Sequence, residues 1–117
     1  MVCWALSDNG YVEIELLVVP DCPNEAPARD LLVRALADVG LADTDVCVRV
    51  VDSQQKAAEL GFTGSPTVLV NGRDPFSVAG RDAALACRVY RGPDGALSGL
   101  PDEGELRRAL KRAAAEI

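Results

Sequence analysis

Histidine is absent from this chain of 117 residues. Its absence excludes catalysis by a serine–histidine or cysteine–histidine pair, and any metal site with an imidazole ligand. A basic excess is also missing, because 18 acidic residues outnumber 12 Lys and Arg residues and give a net charge of −6. We therefore expect no nucleic acid partner, since phosphate binding requires a basic patch.

Long apolar runs are missing too. No stretch approaches the roughly 18 apolar residues of a membrane span, so we expect no membrane partner. The N-terminal MVCWALSDNGY lacks the basic and apolar regions of a secretory signal. These features predict a cytoplasmic protein whose four cysteines are thiols rather than a disulfide framework. No nucleotide, flavin or phosphate-loop motif is present, and we expect no cofactor and no bound metal.

The composition that remains is that of one globular domain. Apolar residues make up 49% of the chain and charged residues 26%, and the length suits a single hydrophobic core. Residues 1–10 are interpreted as a loose N-terminal leader and residues 11–117 as one domain.

Hydrophobic periodicity predicts alternating strands and helices. Because the first strand–helix–strand unit requires a parallel crossover and the later hairpin is antiparallel, the sheet is predicted to be mixed. The expected fold class is α/β, with a mixed sheet of four or five strands and helices on both faces. The predicted strands are 11–19, 45–52, 65–72 and a hairpin within 87–99, and the predicted helices are 25–40, 53–61, a short segment at 81–87, and 101–117. Ser53 and Gly61 are expected to cap the helix 53–61, and Asn71–Gly72 is expected to form the turn that ends the strand 65–72.

One cysteine stands where the first predicted strand becomes the first helix, in VVPDCPNEAP. A thiol at a helix N-terminus faces unpaired N–H groups and the positive end of the helix dipole, and both favour the thiolate of Cys22. We therefore expect Cys22 to be held exposed and ionisable at this junction. The carboxylates of Asp21 and Glu25 oppose its ionisation. Glu25 also offers a proton donor and acceptor three residues from the thiol. The alternative interpretation is that Cys22 is a small apolar residue packed at the helix start.

A second motif, GFTGSPTVLVNG, sets a proline at the start of a later strand. A cysteine after the first strand, followed by a Gly-x-Pro-Thr strand start, resembles the thioredoxin and glutaredoxin superfamily over about residues 11–117. The resemblance implies a thioredoxin-like fold, a nucleophilic Cys22 and a cis proline lying against its sulfur. It also implies that a substrate binds at the matching segment Gly64, Ser65, Pro66 and Thr67.

The chain departs from that family at the position of the second cysteine of the redox motif. The family pattern is Cys-x-x-Cys, but here the window is Cys22-Pro23-Asn24-Glu25. An acid replaces the resolving cysteine, so dithiol exchange within this loop is excluded. The pattern is similar to that of relatives that keep a single cysteine.

The predicted topology brings a further cysteine into question. In the thioredoxin-like fold the last helix begins at the active-site end of the sheet. The hairpin strand that begins at Cys87 would then start near Cys22, with residues 73–86 crossing the site. The alternative is a core cysteine far from Cys22. With Cys87 in reach, two thiols and Glu25 resemble the organomercurial lyases, which implies a soft-metal compound as substrate.

Three functions stay open at this point. The first is thiol–disulfide or thiol-transfer chemistry at Cys22, with a thiol or disulfide substrate such as glutathione. The second is a soft-metal enzyme or binder that uses Cys22, Glu25 and Cys87. The third is a thioredoxin-like binding module without catalysis. Cys47, in the middle of VCVRV, is expected to be a core residue, and no role is assigned to Cys3.

Overall fold

A computed structural model describes residues 12–77, 80 and 82–115 of the chain. The predicted leader and Cys3 lie outside these residues. No helix in the described ranges is long and apolar enough to cross a membrane. The elements follow one another as β1 (Ile14–Val18), α1 (Glu25–Asp38), β2 (Val46–Val50), α2 (Gln54–Leu60), β3 (Thr67–Val70), β4 (Tyr90–Arg91), β5 (Leu97–Ser98) and α3 (Glu103–Ala115).

β1 is the central strand of a three-stranded mixed sheet with the order β2-β1-β3. β2 runs parallel to β1, with Ile14 opposite Val46, as the predicted crossover requires. β3 runs antiparallel to β1, with Ile14 opposite Val70. The α/β class and the mixed sheet are therefore confirmed.

The later strands form a separate antiparallel pair, β4 with β5. The described strands therefore form one sheet of three strands and a separate pair, whereas the sequence predicts one sheet of four or five strands. The reason is that the backbone of the segment leading into β4 pairs with the β3 side of the sheet as an isolated bridge at Ser65 and not as a continuous ladder.

β1 buries side chains on both of its faces, because successive residues of a strand point to opposite sides. One face packs against α1 and α3, in a cluster that includes Ile14, Leu16, Val18, Leu31, Leu32, Leu36, Leu106 and Leu110. The other face packs against α2 and the loop after it, in a cluster of Leu17, Val51, Ala57 and Phe62. Helices therefore cover both faces of the sheet.

Local sequence signals determine several of the element boundaries. The Ser53 hydroxyl accepts the Lys56 N–H at the start of α2, and Gly61 ends that helix in the left-handed conformation. Asn71 and Gly72, both with positive φ, make the tight turn after β3. These predicted boundaries are confirmed.

The short helix predicted at 81–87 is wrong for the residues described there, 82–87. Their backbone groups bond across to another segment instead of along a helix. The Ala84 N–H donates to the Phe62 carbonyl, and the Ala86 carbonyl accepts from the Ser65 N–H. This pairing holds the segment, which bends at Leu85 and Ala86, beside the start of β3.

Candidate thiol site

Cys22 lies in the turn between β1 and α1. Asp21 adopts a positive φ of 58°, and the Glu25 N–H donates to the Cys22 carbonyl at 3.2 Å to close the turn. α1 begins at Glu25, and its N-cap residue Asn24 makes no side-chain capping bond. α1 thus begins at the predicted residue 25, and Cys22 lies in the turn before it.

The expectation that Cys22 is held exposed is wrong. Its relative exposure is 8%, and it belongs to the larger hydrophobic cluster. The physical reason is Ser65, whose hydroxyl lies 2.9 Å from the Cys22 Sγ and donates to it. The same hydroxyl accepts the Val19 N–H at 3.1 Å. The sulfur is therefore turned back towards the end of β1.

The segment from Gly64 to Thr67, predicted to bind substrate, is buried throughout. The Ser65–Pro66 peptide bond is cis. The hydroxyl of Thr67 donates to the Gly64 carbonyl at 2.6 Å. Within the segment, the hydrogen bond to the Cys22 sulfur comes from Ser65, the residue before the proline.

Cys87 is an exposed free thiol, and its backbone lies beside Ser65. The two residues form an isolated parallel bridge, in which the Ser65 N–H donates to the Ala86 carbonyl at 2.7 Å and the Arg88 N–H donates to the Ser65 carbonyl at 2.9 Å. Paired residues of a bridge direct their side chains to the same face. Ser65 therefore contacts Cys22 through its side chain and the Cys87 segment through its backbone.

Glu25 is half-buried, and its backbone closes the turn that holds Cys22. Within residues 12–77, 80 and 82–115, its carboxylate makes no hydrogen bond or ion pair. Among the same residues, no three His, Cys, Asp or Glu side chains converge as they would to hold a metal ion. The structure thus brings Cys22 and Glu25 into one turn without assembling a three-ligand centre with Cys87.

Sequence reasoning missed Arg88, whose side chain is buried behind the Cys87 segment. Its guanidinium donates to Asp74 at 2.6 Å, to the Phe76 carbonyl at 2.6 Å and to the Thr67 hydroxyl at 3.2 Å. It also lies 4.4 Å from the centre of the Tyr90 ring. These contacts hold the segment that carries Cys87 against the loop after β3 and the start of β3.

A period-of-two pattern in CRVYR is the signal that could have identified Arg88. Arg88 and Tyr90 are buried, while Cys87, Val89 and Arg91 are exposed. Tyr90 is the large residue expected to point inward, and Arg88, two residues earlier, points to the same side. The Tyr90 hydroxyl donates to the Pro66 carbonyl, so both inward residues bind the segment around the cis bond.

Cys47 differs from expectation in two respects. It is disulfide-bonded, so the prediction that the cysteines are thiols is wrong for this residue. It is also half-buried and not a core residue. The physical reason is that β2 pairs with β1 on one side and has no described strand on its other side.

Two grooves on the described surface do not coincide with the thiols. The larger groove, of about 400 Å³, lies between α1, the β4–β5 hairpin and the start of α3. It is lined by Leu31, Asp94, Ser98, Leu100, Asp102 and others, but by neither Cys22 nor Cys87. The chemistry of the thiol site therefore depends on direct access to the two sulfurs.

Comparisons with known proteins return no match. No protein-family model matches the chain, and neither a curated protein nor a solved structure resembles it significantly. The geometry around Cys22, Ser65 and Cys87 is therefore the basis for assigning a function.

Proposed function

We propose that this is a thioredoxin-like thiol protein in which Cys22 is the nucleophile of thiol–disulfide exchange and Cys87 is the resolving thiol. The observation that carries the proposal is the position of Ser65 between Cys22 and Cys87, which are both free thiols. Its side chain donates to the Cys22 sulfur and its backbone pairs with the Cys87 segment. A disulfide requires Cα atoms about 4.4–6.8 Å apart, and one shared neighbour favours such an approach.

The thioredoxin-like assignment draws support from three features. A cysteine follows the central strand and precedes α1, a cis X–Pro bond precedes β3, and β3 is antiparallel to the central strand. Helices cover both faces of the sheet. The resolving cysteine is supplied from a distant segment, because Glu25 replaces the second cysteine of the usual motif.

The exchange proceeds in two displacements. The Cys22 thiolate attacks one sulfur of a substrate disulfide, forms a mixed disulfide and releases the other substrate half as a thiolate, which takes up a proton. The Cys87 thiolate then attacks the Cys22 sulfur, and the second substrate half leaves as a thiolate. The substrate is reduced by two electrons and the protein gains a Cys22–Cys87 disulfide. An external thiol reductant returns the protein to the dithiol form.

Access to Cys22 favours a slender substrate. Its 8% exposure leaves little room for a sulfur embedded in a folded partner. A small or extended disulfide, of which glutathione disulfide is the simplest probe, reaches a recessed sulfur at lower cost. This is the substrate class that we assign to the site.

The test is to isolate the mixed disulfide on Cys22 and the Cys22–Cys87 disulfide separately. Cys87→Ser leaves the first displacement intact, so after exposure to glutathione disulfide we expect a stable glutathione adduct on Cys22, located by mass spectrometry of peptides. The unsubstituted protein should instead yield a Cys22–Cys87 disulfide. An adduct on Cys87 in Cys22→Ser, with none on Cys22 in Cys87→Ser, would overturn the assigned roles. Absence of both products would favour a binding module without catalysis.

A second candidate is a soft-metal compound as substrate. Cys22 and Cys87, both free thiols, flank Ser65, and the Glu25 carboxyl, which has no partner among the described residues, shares the turn of Cys22. Thiolates are the ligands that soft metals prefer, and a carboxylic acid can protonate a carbon–metal bond. With methylmercury, the metal would stay on the thiolates and the methyl group would leave as methane with the proton. Release of methane that requires Cys22, Cys87 and Glu25 would select this function.

A further inference from the structure

The hydroxyl of Ser65 lies between a backbone amide and a sulfur. Its Oγ is 3.1 Å from the Val19 nitrogen and 2.9 Å from the Cys22 Sγ. An amide N–H can only donate, so the hydroxyl oxygen accepts from Val19 and keeps its single proton for another group. In the described part of the structure, the sulfur is the acceptor within hydrogen-bonding distance of that proton.

The donor is held in place from several sides. Ser65 is 0% exposed, and both its N–H and its carbonyl are bonded to the neighbouring segment 86–88. The amide on its oxygen comes from the residue directly after β1, the central strand. A hydroxyl fixed in this way does not have to reorganise when charge develops on the sulfur.

We propose that Ser65 is a positioning residue that stabilises the Cys22 thiolate by donating its hydroxyl proton as a hydrogen bond. The physical reason is that a hydrogen bond to the charged form of a group favours that form. The inference deepens the proposed function and depends on it for its catalytic meaning. It assigns Ser65 a specific role, where the sequence predicted only a general part in substrate binding.

The same bond has a consequence when the protein is reduced again. In a Cys22–Cys87 disulfide, the sulfur of the exposed Cys87 is the one open to an external thiolate. Attack there breaks the disulfide and releases Cys22 as the leaving thiolate with the bonding electron pair. A second thiol of the reductant then displaces the first from Cys87. Because a stabilised thiolate leaves faster, Ser65 assists this step as well.

The experiment measures the ionisation of Cys22 directly. In a Cys87→Ser background, thiolate absorbance near 240 nm is followed against pH, with the Cys22→Ser protein as the blank. Asp21 and Glu25, the carboxylates in the turn of Cys22, are unchanged in every variant. We expect Ser65→Ala to move the absorbance midpoint to higher pH and to slow iodoacetamide alkylation at neutral pH by about tenfold. The alkylation rate at alkaline pH, where every molecule is ionised, should stay the same.

Ser53→Ala is the matched control. The Ser53 hydroxyl also accepts a backbone N–H at 3.1 Å, from Lys56, but it contacts no sulfur. It should lower stability without moving the absorbance midpoint. As a second pair, Ser65→Thr and Ser65→Val share a shape and differ in the hydroxyl, so the threonine variant should keep the parental midpoint and the valine variant should lose it.

Two results would overturn the inference. One is a Ser65→Ala titration that superimposes on its parent. The other is an alkylation rate reduced by one factor at every pH, which would indicate altered access and not stabilised charge. The absorbance measurement needs no reagent at the sulfur, so it decides the role of Ser65 even if no glutathione adduct forms. Failure of the proposed function and failure of this inference are therefore distinguishable.

Discussion

Arg88 and Asp74 form an ion pair of 2.6 Å, in which the arginine side chain is 2% exposed and the aspartate side chain 11%. Loss of one partner leaves the other charge buried and unpaired, which typically costs about 3–5 kcal/mol. We therefore expect Asp74→Asn to lower the free energy of unfolding by about 3 kcal/mol. Urea denaturation followed by far-ultraviolet circular dichroism measures the change.

The exposed pair of Asp52 and Lys56 provides the control for this prediction. Its atoms are 3.1 Å apart, but the side chains are 55–56% exposed. Solvent-exposed pairs contribute at most about 1 kcal/mol, so Asp52→Asn should change stability little. Equal losses in Asp52→Asn and Asp74→Asn would show that burial of Arg88 does not govern the energetics.

Gly64 is predicted to tolerate no side chain, because Arg88 occupies the space that a Cβ atom would need. It has φ +140°, and a Cβ atom there would lie 2.8 Å from the Arg88 Cβ and 3.0 Å from the Arg88 Cα. The backbone of the Cys87 segment would have to move, and overpacking of this kind costs about 1–3 kcal/mol. We expect Gly64→Ala to lose that much stability beyond its backbone strain. It should also slow formation of the Cys22–Cys87 disulfide, as measured by mass spectrometry after mild oxidation.

Gly61→Ala separates the clash from the strain of a positive φ. Gly61 has φ +65° and nothing within 4 Å of the added Cβ. This variant should lose stability through backbone strain alone and should form the disulfide at the parental rate. If Gly61→Ala impairs disulfide formation as strongly as Gly64→Ala, close packing against Arg88 is not what positions Cys87.

The smaller hydrophobic cluster, on the α2 face of the sheet, is predicted to be essential for stability. Phe62 is 0% exposed and packs there with Leu17, Val51 and Ala57. Phe62→Ala should lower the free energy of unfolding by about 3–5 kcal/mol, because burial is lost and a cavity is left. Leu97, which is 62% exposed, is the control, and Leu97→Ala should stay within about 0.5 kcal/mol. Similar losses from both changes would contradict a core on this face.

Elements with strong local signals could be predicted from the sequence. The caps at Ser53 and Gly61 and the turn at Asn71–Gly72 involve contacts within a few residues. The local sequence is therefore enough to predict where these elements begin and end. The parallel pairing of β1 with β2 followed from the helix between them.

The rest depended on contacts between distant segments. Cys22 was expected to be exposed, but the Ser65 hydroxyl, 43 positions away, turns its sulfur inward. Residues 82–87 are not helical because their backbone groups bond to the segment 62–65, a long-range contact that local helix propensity cannot predict. Arg88 was missed because arginine is rarely buried, and its ion pair with Asp74 and its hydrogen bonds to the Phe76 carbonyl and the Thr67 hydroxyl come from distant positions in the sequence.

Glu25→Gln is predicted to separate the two candidate functions. The Glu25 carboxylate makes no hydrogen bond or ion pair within the described residues, so the amide should leave the free energy of unfolding within about 0.5 kcal/mol. Thiol–disulfide exchange uses no acid at this position, and adduct formation with glutathione disulfide in the Cys87→Ser background should change less than about threefold. Cleavage of methylmercury, by contrast, requires a proton from the carboxyl group, and methane release should be lost.

Glu59→Gln, on the exposed side of α2, is the matched control for removing one carboxylate, and it should alter neither reaction. Abolished glutathione adduct formation in Glu25→Gln, with Glu59→Gln unaffected, would mean that the carboxylate takes part in thiol chemistry. The two-displacement scheme would then be incomplete, because it assigns no proton transfer to Glu25. Methane release that persists in Glu25→Gln would instead remove Glu25 from the soft-metal candidate, because the proton would have to come from another group.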